Sequence, residues 1–148
     1  MAYNNRGLAY YDKGLFNKAF NDYTKAIELK PNFASPFNNR GVIYNDQRIY
    51  DKAIADYTKV IELKPDDALT YNNRGAIYND ERIYDKAIAN YTKAIELKPG
   101  YALAYNNRGL AYYNKGLFDK ACQDFNKAKE LGSEKAKENV AMFCNGNK

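Results

Sequence analysis

The chain has 148 residues, of which 45% are hydrophobic and 28% charged, a balance typical of a folded globular protein rather than a disordered one. No apolar run approaches the length of about 18 residues needed to span a membrane, and the N-terminus lacks the pattern of a secretory signal. The net charge of +5 could indicate a nucleic-acid partner. Whether it does depends on where the charged residues lie.

A short motif returns along the chain at a step of about 34 residues. It reads YNNRG from Tyr3, FNNRG from Phe37, and YNNRG again from Tyr71 and Tyr105. The whole segment around the motif repeats with it, so the chain consists of four similar units.

Each unit contains two helical patterns followed by a stop signal. In the first unit Tyr3, Gly7 and Tyr10 recur at the spacing i, i+4, i+7 of a helix face, and a second such pattern starts at Ala19. Proline cannot continue a helix, and it follows the second pattern in three units, as Pro31, Pro65 and Pro99. Each unit is therefore predicted to be a helical hairpin, and neighbouring hairpins must stack to share a core.

The order of residue types in the unit resembles the tetratricopeptide repeat (TPR) family over almost the whole chain. In the first unit the family's places are held by Tyr3, Gly7, Tyr10, Ala19, Tyr23 and Pro31. The resemblance implies an all-α fold, a right-handed superhelical α-solenoid of stacked helix-turn-helix hairpins. It implies one domain over residues 1–148, with repeats at about 1–33, 34–67, 68–101 and 102–132.

Several residues depart from the family pattern. Valine replaces a small alanine at Val60, and arginine replaces the turn glycine at Arg48 and Arg82. In the place of the family's leucine stand Arg6, Arg40, Arg74 and Arg108. We predict that these arginines form a column of partly buried contacts with the second helices, through Asp22, Asp56, Asn90 and Asp124.

The segment after the fourth unit is predicted to be a capping helix, at about 133–144. Ser133 suits its N-cap, and Ala136, Val140 and Phe143 form an apolar stripe that would cover the end of the last hairpin.

The asparagine pairs carry the functional hypothesis. In the family, the side of the first helices that holds them lines the concave groove, and a side-chain amide can both donate to and accept from a peptide backbone. The alternative, that the pairs are repeat history without function, stays open. The candidate peptide-binding residues are Asn4, Asn5, Tyr11, Asp12, Asn38, Asn39, Asn45, Asp46, Asn72, Asn73, Asn79, Asp80, Asn106, Asn107 and Tyr113.

The predicted function is a protein–protein interaction scaffold that binds an extended peptide or partner segment. The groove side carries acids such as Asp12 and Asp46, so a neutral or basic segment is expected rather than an acidic C-terminal tail. The lysines fall mostly on the side of the second helices that points away from the stack, so nucleic acid is not an expected partner, and the lack of a long apolar run means that no membrane partner is expected. The alternative function is self-assembly into a homo-oligomer through exposed ends or convex faces.

Enzyme activity, metal sites and cofactors are not expected, because there is no histidine, phosphate-binding loop or nucleophile near a base. Cys122 and Cys144 lack metal-ligand spacing, and we expect free thiols and a cytoplasmic location, with one bridge between the last two helices as the alternative.

Overall fold

The structure is a computed structural model that describes residues 1–145. Within them it contains helices only: α1 (Ala2–Asp12), α2 (Phe16–Leu29), α3 (Ala34–Asp46), α4 (Tyr50–Leu63), α5 (Ala68–Asp80), α6 (Tyr84–Leu97), α7 (Ala102–Asn114), α8 (Phe118–Glu130), α9 (Glu134–Asn139) and a π-helical turn (Val140–Cys144). The predicted all-α fold class is confirmed.

The helices form two compact units, one of residues 1–70 and one that starts at residue 71. In the first unit α1 packs on α2, α2 on α3, and α3 on α4. In the second unit α6 packs on α7, α7 on α8, and α8 on α9. Paired helices therefore form hairpins that stack within each unit, and the single domain over residues 1–148 stays a prediction.

The glycine of each YNNRG or FNNRG motif lets the two helices of a hairpin approach closely. A Cβ atom added to Gly7 would lie 2.6 Å from Cε1 of Tyr23, and one added to Gly109 would lie 2.7 Å from Cε1 of Phe125. These distances are shorter than a carbon–carbon contact allows, so any side chain there would push the buried ring away.

The turn inside each hairpin needs one residue with a left-handed backbone. Gly14 and Gly116 supply it at φ of 72° and 81°, whereas Arg48 and Arg82 adopt it at φ of 59° and 61°. An L-residue pays a steric cost in this region that glycine does not. Arginine in place of the turn glycine therefore raises the energy of the turn but leaves its geometry unchanged.

The predicted column of arginine contacts is confirmed. Arg40 donates from Nε and Nη2 to the Asp56 carboxylate at 2.8 and 2.7 Å, and from Nη1 to the Thr24 hydroxyl at 3.4 Å. In the third hairpin the partner is an amide, because Arg74 Nε donates to Asn90 Oδ1 at 2.9 Å. A bidentate bridge like that between Arg40 and Asp56 also joins Arg6 to Asp22 and Arg108 to Asp124.

The capping helix forms as predicted. The Ser133 hydroxyl accepts from the Ala136 backbone N–H at 3.1 Å, which caps α9. Ala136 and Val140 are buried, and Val140 lies in a cluster with Phe125, against which Phe143 packs.

The prediction of free thiols is wrong, and the alternative of one bridge between the last two helices is correct. Cys122 and Cys144 form a disulfide, with their Cα atoms 5.7 Å apart. The π-helical turn carries Cys144 back onto α8, a change of backbone that helical spacing alone does not reveal. Disulfides are rare in reducing compartments, so the cytoplasmic location loses its main argument and stays a prediction.

Candidate binding face

The candidate residues all lie on the first helices of the hairpins, α1, α3, α5 and α7, and the surface that they form within each unit is called here the groove-side face. Their burial divides them into two groups. Asn4, Asn72 and Asn106, the first asparagines of three motifs, are buried, with 3–4% of their surface exposed. Exposed or half-buried are Asn5, Tyr11, Asp12, Asn38, Asn39, Asn45, Asp46, Asn73, Asn79, Asp80, Asn107 and Tyr113.

Hydrogen bonds between side-chain amides join consecutive first helices. In the first unit Asn39 Nδ2 donates to Asn4 Oδ1 at 3.1 Å. In the second unit Asn107 Nδ2 donates to Asn72 Oδ1 at 3.1 Å. The buried first asparagine of one motif is thus held by the second asparagine of the next, an arrangement we call the asparagine ladder.

The capping helix continues this ladder. Asn139 of α9 donates from Nδ2 to Asn106 Oδ1 at 2.8 Å, as the second asparagine of a further motif would. The ladder therefore has a structural role that was not predicted from the sequence, where the asparagines of the motifs were candidates for peptide binding.

The ladder uses only half of each amide. The Asn4 oxygen accepts the ladder bond, which leaves its NH2 group unused. The Asn39 NH2 group donates this bond, which leaves its oxygen unused. Asn5 is fully outside the ladder and exposed. Because Asn4 is buried, the accessible amides of this motif pair are those of exposed Asn5 and half-buried Asn39, and an amide can donate to and accept from a peptide backbone.

The two candidate tyrosines are less accessible than the sequence suggests. The Tyr11 ring packs edge-on against Phe16 with centroids 5.2 Å apart, and its hydroxyl donates to Asp46 Oδ2 at 3.4 Å. Burial, followed by the Asp46 charge, raises the pKa of Tyr11 above its ordinary value. Tyr113 packs between Phe118 and Phe143, at 5.2 and 4.3 Å.

Three exposed carboxylates mark the groove-side face near the ends of the first helices. They are Asp12, Asp46 and Asp80, and each lies in the last position of its helix. At the equivalent position of α7 the chain has Asn114. This part of the face is negative in the first three hairpins.

The excess of lysine is largely engaged outside this face. Each second helix carries one Lys–Glu pair three residues apart, at N–O distances of 2.9–3.5 Å: Lys25–Glu28, Lys59–Glu62, Lys93–Glu96 and Lys127–Glu130. A second lysine on each helix lies with its ammonium 5.4–5.6 Å from a tyrosine ring: Lys18, Lys52, Lys86 and Lys120. This fits the interpretation of the lysines as a solvated, locally paired surface.

A hollow of about 280 Å³ opens on the groove-side face within residues 1–70. The amides of Asn4, Asn38 and Asn39 form part of its wall. The rest of the lining comes from Leu8, Ala34, Ser35, Val60, Lys64 and Asp67. Apart from the asparagines, none of these residues was predicted as a site residue from the sequence, although Val60 departs from the family pattern.

Two charged residues at the hollow differ in their availability. Asp67 caps α5, because its carboxylate accepts from the backbone N–H groups of Leu69 and Thr70 and from the Thr70 hydroxyl, at 3.0–3.3 Å. The Lys64 side chain is exposed, and no residue within 1–145 pairs with its ammonium group. The formal charges of the two residues cancel, and Lys64 is the one of them whose charged group has no partner within residues 1–145.

Models of the tetratricopeptide repeat match residues 1–33, 34–67 and 102–134, and a TPR repeat model matches residues 84–116. The chain belongs to the TPR family. TPR proteins are scaffolds for protein–protein interaction, and the matching models indicate no catalytic family. No curated protein matches the sequence significantly.

Solved TPR structures resemble the chain closely. A crystal structure of MamA is 35% identical, with a TM-score of 0.84 over 91% of this chain and 79% of that one. MamA from Desulfovibrio magneticus RS-1, from residue 41 to its end, shares the fold at 21% identity, with a TM-score of 0.88 over 96% and 81%. The first TPR domain of Spaghetti (RPAP3), bound to the HSP90 peptide SRMEEVD, is 26% identical, with a TM-score of 0.71 over 75% and 90%.

None of the helices in residues 1–145 is both long and apolar enough to span a membrane.

Proposed function

We propose that this TPR scaffold binds an extended peptide or partner segment on its groove-side face. The observation that carries the proposal is the asparagine ladder, which fixes an amide donor and an amide acceptor side by side. The bond leaves the NH2 group of Asn4 and the oxygen of Asn39 unused, and both side chains line the hollow in residues 1–70. Such preorganisation lowers the entropy lost on binding. The peptide complex of the RPAP3 domain supports this use of the architecture.

The charges on the face favour a neutral or basic segment. Asp12, Asp46 and Asp80 are exposed, and an acidic tail would bring like charges towards them. This preference differs from the acidic peptide SRMEEVD held by the RPAP3 domain. A basic peptide should bind more tightly than its acidic counterpart, and the difference should shrink as salt rises, because the carboxylates are exposed.

The test measures peptide affinity in variants that remove amides without breaking the ladder. Asn38→Ala and Asn5→Ala suit it, because neither side chain takes part in the observed ladder bonds, whereas Asn72→Ala would also remove the acceptor of Asn107. A matched control is Asn21→Ala, an exposed asparagine on α2. We expect weaker binding in the first two variants and wild-type binding in the control.

Each variant should keep the wild-type circular dichroism spectrum and melting temperature. Unchanged affinity in both Asn38→Ala and Asn5→Ala would contradict the proposal. Tighter binding of acidic than of basic peptides would contradict the charge preference alone.

A further inference from the structure

The hollow in residues 1–70 lies where the repeat is broken at three positions. Ser35 stands where the third and fourth units have Leu69 and Leu103. Asp67 stands where the neighbouring units have Phe33 and Tyr101. Two large apolar side chains are thus replaced by smaller polar ones at two positions that line the same hollow.

The third break gives the hollow an apolar bottom. Val60 is 1% exposed and replaces the alanines that the other units have, which are Ala26, Ala94 and Ala128. Ala34 beside it is 4% exposed. Leu8 is 41% exposed, so it offers an apolar surface that has no cover within the described residues.

The polar lining has a different use from the apolar bottom. The amides of Asn4, Asn38 and Asn39 can form hydrogen bonds with a peptide backbone. The Asp67 carboxylate already caps α5. The volume of about 280 Å³ is just below the range of small-molecule sites, and it suits one side chain with its adjacent backbone.

We infer that this hollow is the anchor pocket of the bound peptide, and that it takes one large aliphatic side chain such as leucine, isoleucine or methionine. The inference rests on the proposed peptide binding and adds the residue class that decides specificity. The other units have a leucine and an aromatic ring at the positions of Ser35 and Asp67, and the ligand side chain supplies the apolar group that these two residues lack. It covers Leu8 and contacts Val60, while the amides hold its backbone.

The experiment selects peptides from a random library with the full chain. We expect the wild type to enrich a large aliphatic residue at one position. Ser35→Leu, which restores the residue of the other units, should lower affinity for the selected peptides at least about tenfold and remove the preference. The control Ala55→Leu adds the same side chain at an exposed position of α4 and should bind like the wild type.

A second variant changes the pocket in the opposite direction. Val60→Ala introduces the alanine of the other units and deepens the hollow, so the preferred residue should shift towards phenylalanine or tyrosine. Circular dichroism and melting curves check that both variants are folded.

The outcomes separate this inference from the function on which it rests. If peptides bind and Asn38→Ala weakens them but Ser35→Leu does not, the anchor pocket is refuted and the groove-side face stands. Enrichment of acidic residues that depends on Lys64 would also refute the aliphatic anchor, since it would make the hollow an anion site. If the wild type selects no peptide, both the function and the pocket are wrong.

Discussion

The first and the last hairpin have nearly the same sequence but different surroundings. YNNRGLAYYDKGLF opens one at Tyr3, and YNNRGLAYYNKGLF opens the other at Tyr105. Local geometry agrees closely, because Arg6 and Arg108 each meet their aspartate at 2.7 Å. Burial differs, since the Arg6 side chain is 57% exposed and the Arg108 side chain 17%.

The last hairpin has neighbouring elements of its unit on both sides, and one of them contacts Arg108 directly. Arg108 also donates to the Thr92 hydroxyl of α6 at 3.0 Å. On the other side, α9 and the π-helical turn pack on α8. The repeat sequence therefore determines the contacts inside a hairpin, whereas the neighbours determine how much free energy each contact contributes.

The largest effect should come from breaking the buried bridge. Asp124→Ala leaves the Arg108 guanidinium largely buried without its carboxylate, and it should lower the free energy of unfolding by about 4 kcal/mol. Asp22→Ala removes the equivalent carboxylate beside an exposed arginine, and water can replace it, so the loss should be clearly smaller. Urea unfolding at neutral pH measures both, and equal losses would show that burial does not decide the value of the bridge.

The disulfide is the next largest difference between the two hairpins. Cys122 holds the place of Phe20 in the first hairpin, and the bridge closes a loop across a sequence separation of 22. Cys122→Ser should lower the free energy of unfolding by about 3 kcal/mol, chiefly because the unfolded chain gains freedom.

Reduced wild-type protein should match this variant in urea unfolding. Thiol titration of the denatured, non-reduced chain supplies the check on the bridge itself. It should detect no free thiol, and two free thiols would disprove the disulfide.

A buried ring also differs between the hairpins. Tyr23 packs under Gly7, and Phe125 packs under Gly109. Burial, which disfavours the phenolate, raises the pKa of Tyr23 to about 12, against an ordinary value of 10.0. The unfolded chain therefore releases this proton more easily, so the stability that Tyr23 contributes is intact below pH 10 and is lost as the pH rises towards 12.

Tyr23→Phe removes this loss of stability at high pH. It also gives the first hairpin a phenylalanine, the residue that the last hairpin has at Phe125. Between pH 8 and pH 11 the variant should lose roughly 1 kcal/mol less stability than the wild type. Burial raises the pKa of Tyr57 and Tyr91 as well, so some alkaline loss should remain. Identical pH profiles for variant and wild type would contradict the assignment.

The smallest effect concerns the turns, where the outer hairpins differ from the inner ones. Arg48→Gly places in the second hairpin the residue found at Gly14 and Gly116, in a backbone with φ of 59°. The relief of strain is partly offset by the greater freedom of glycine in the unfolded chain, which leaves a gain of about 0.5 kcal/mol. Thermal unfolding should show a slightly higher midpoint, and a lower one would mean that the arginine side chain stabilises the turn.

Features that depend on spacing within a hairpin could be predicted from the sequence. The helix pairs, the arginine column and the cap at Ser133 depend on local periodicity and on positions that repeat from unit to unit. The bond between Asn39 and Asn4 could not be predicted, because a helical wheel shows which way a side chain points but not which side chain of the next hairpin reaches it. The disulfide was misjudged for a related reason, since the π-helical turn that aligns Cys144 leaves no clear pattern in the residues.

The hollow shows that breaks in a repeat are as informative as the repeat itself. Ser35 and Asp67 are polar residues that no sequence motif singles out. Their common role becomes visible only in the structure, where both line the same hollow. Such breaks can be found by comparing each position with its counterparts in the other units. Only the structure shows that these two positions lie close together in space.

The asparagine ladder has a consequence for how such a chain can change over generations. Each rung joins the first asparagine of one motif to the second asparagine of the next, as between Asn72 and Asn107. A duplicated hairpin would arrive with an acceptor for the copy after it and a donor for the copy before it. Asn139 lets α9 close the series from any such last copy. Duplication or deletion of whole hairpins could thus preserve the rungs that are formed, although the Asn38 oxygen shows that not every motif forms one.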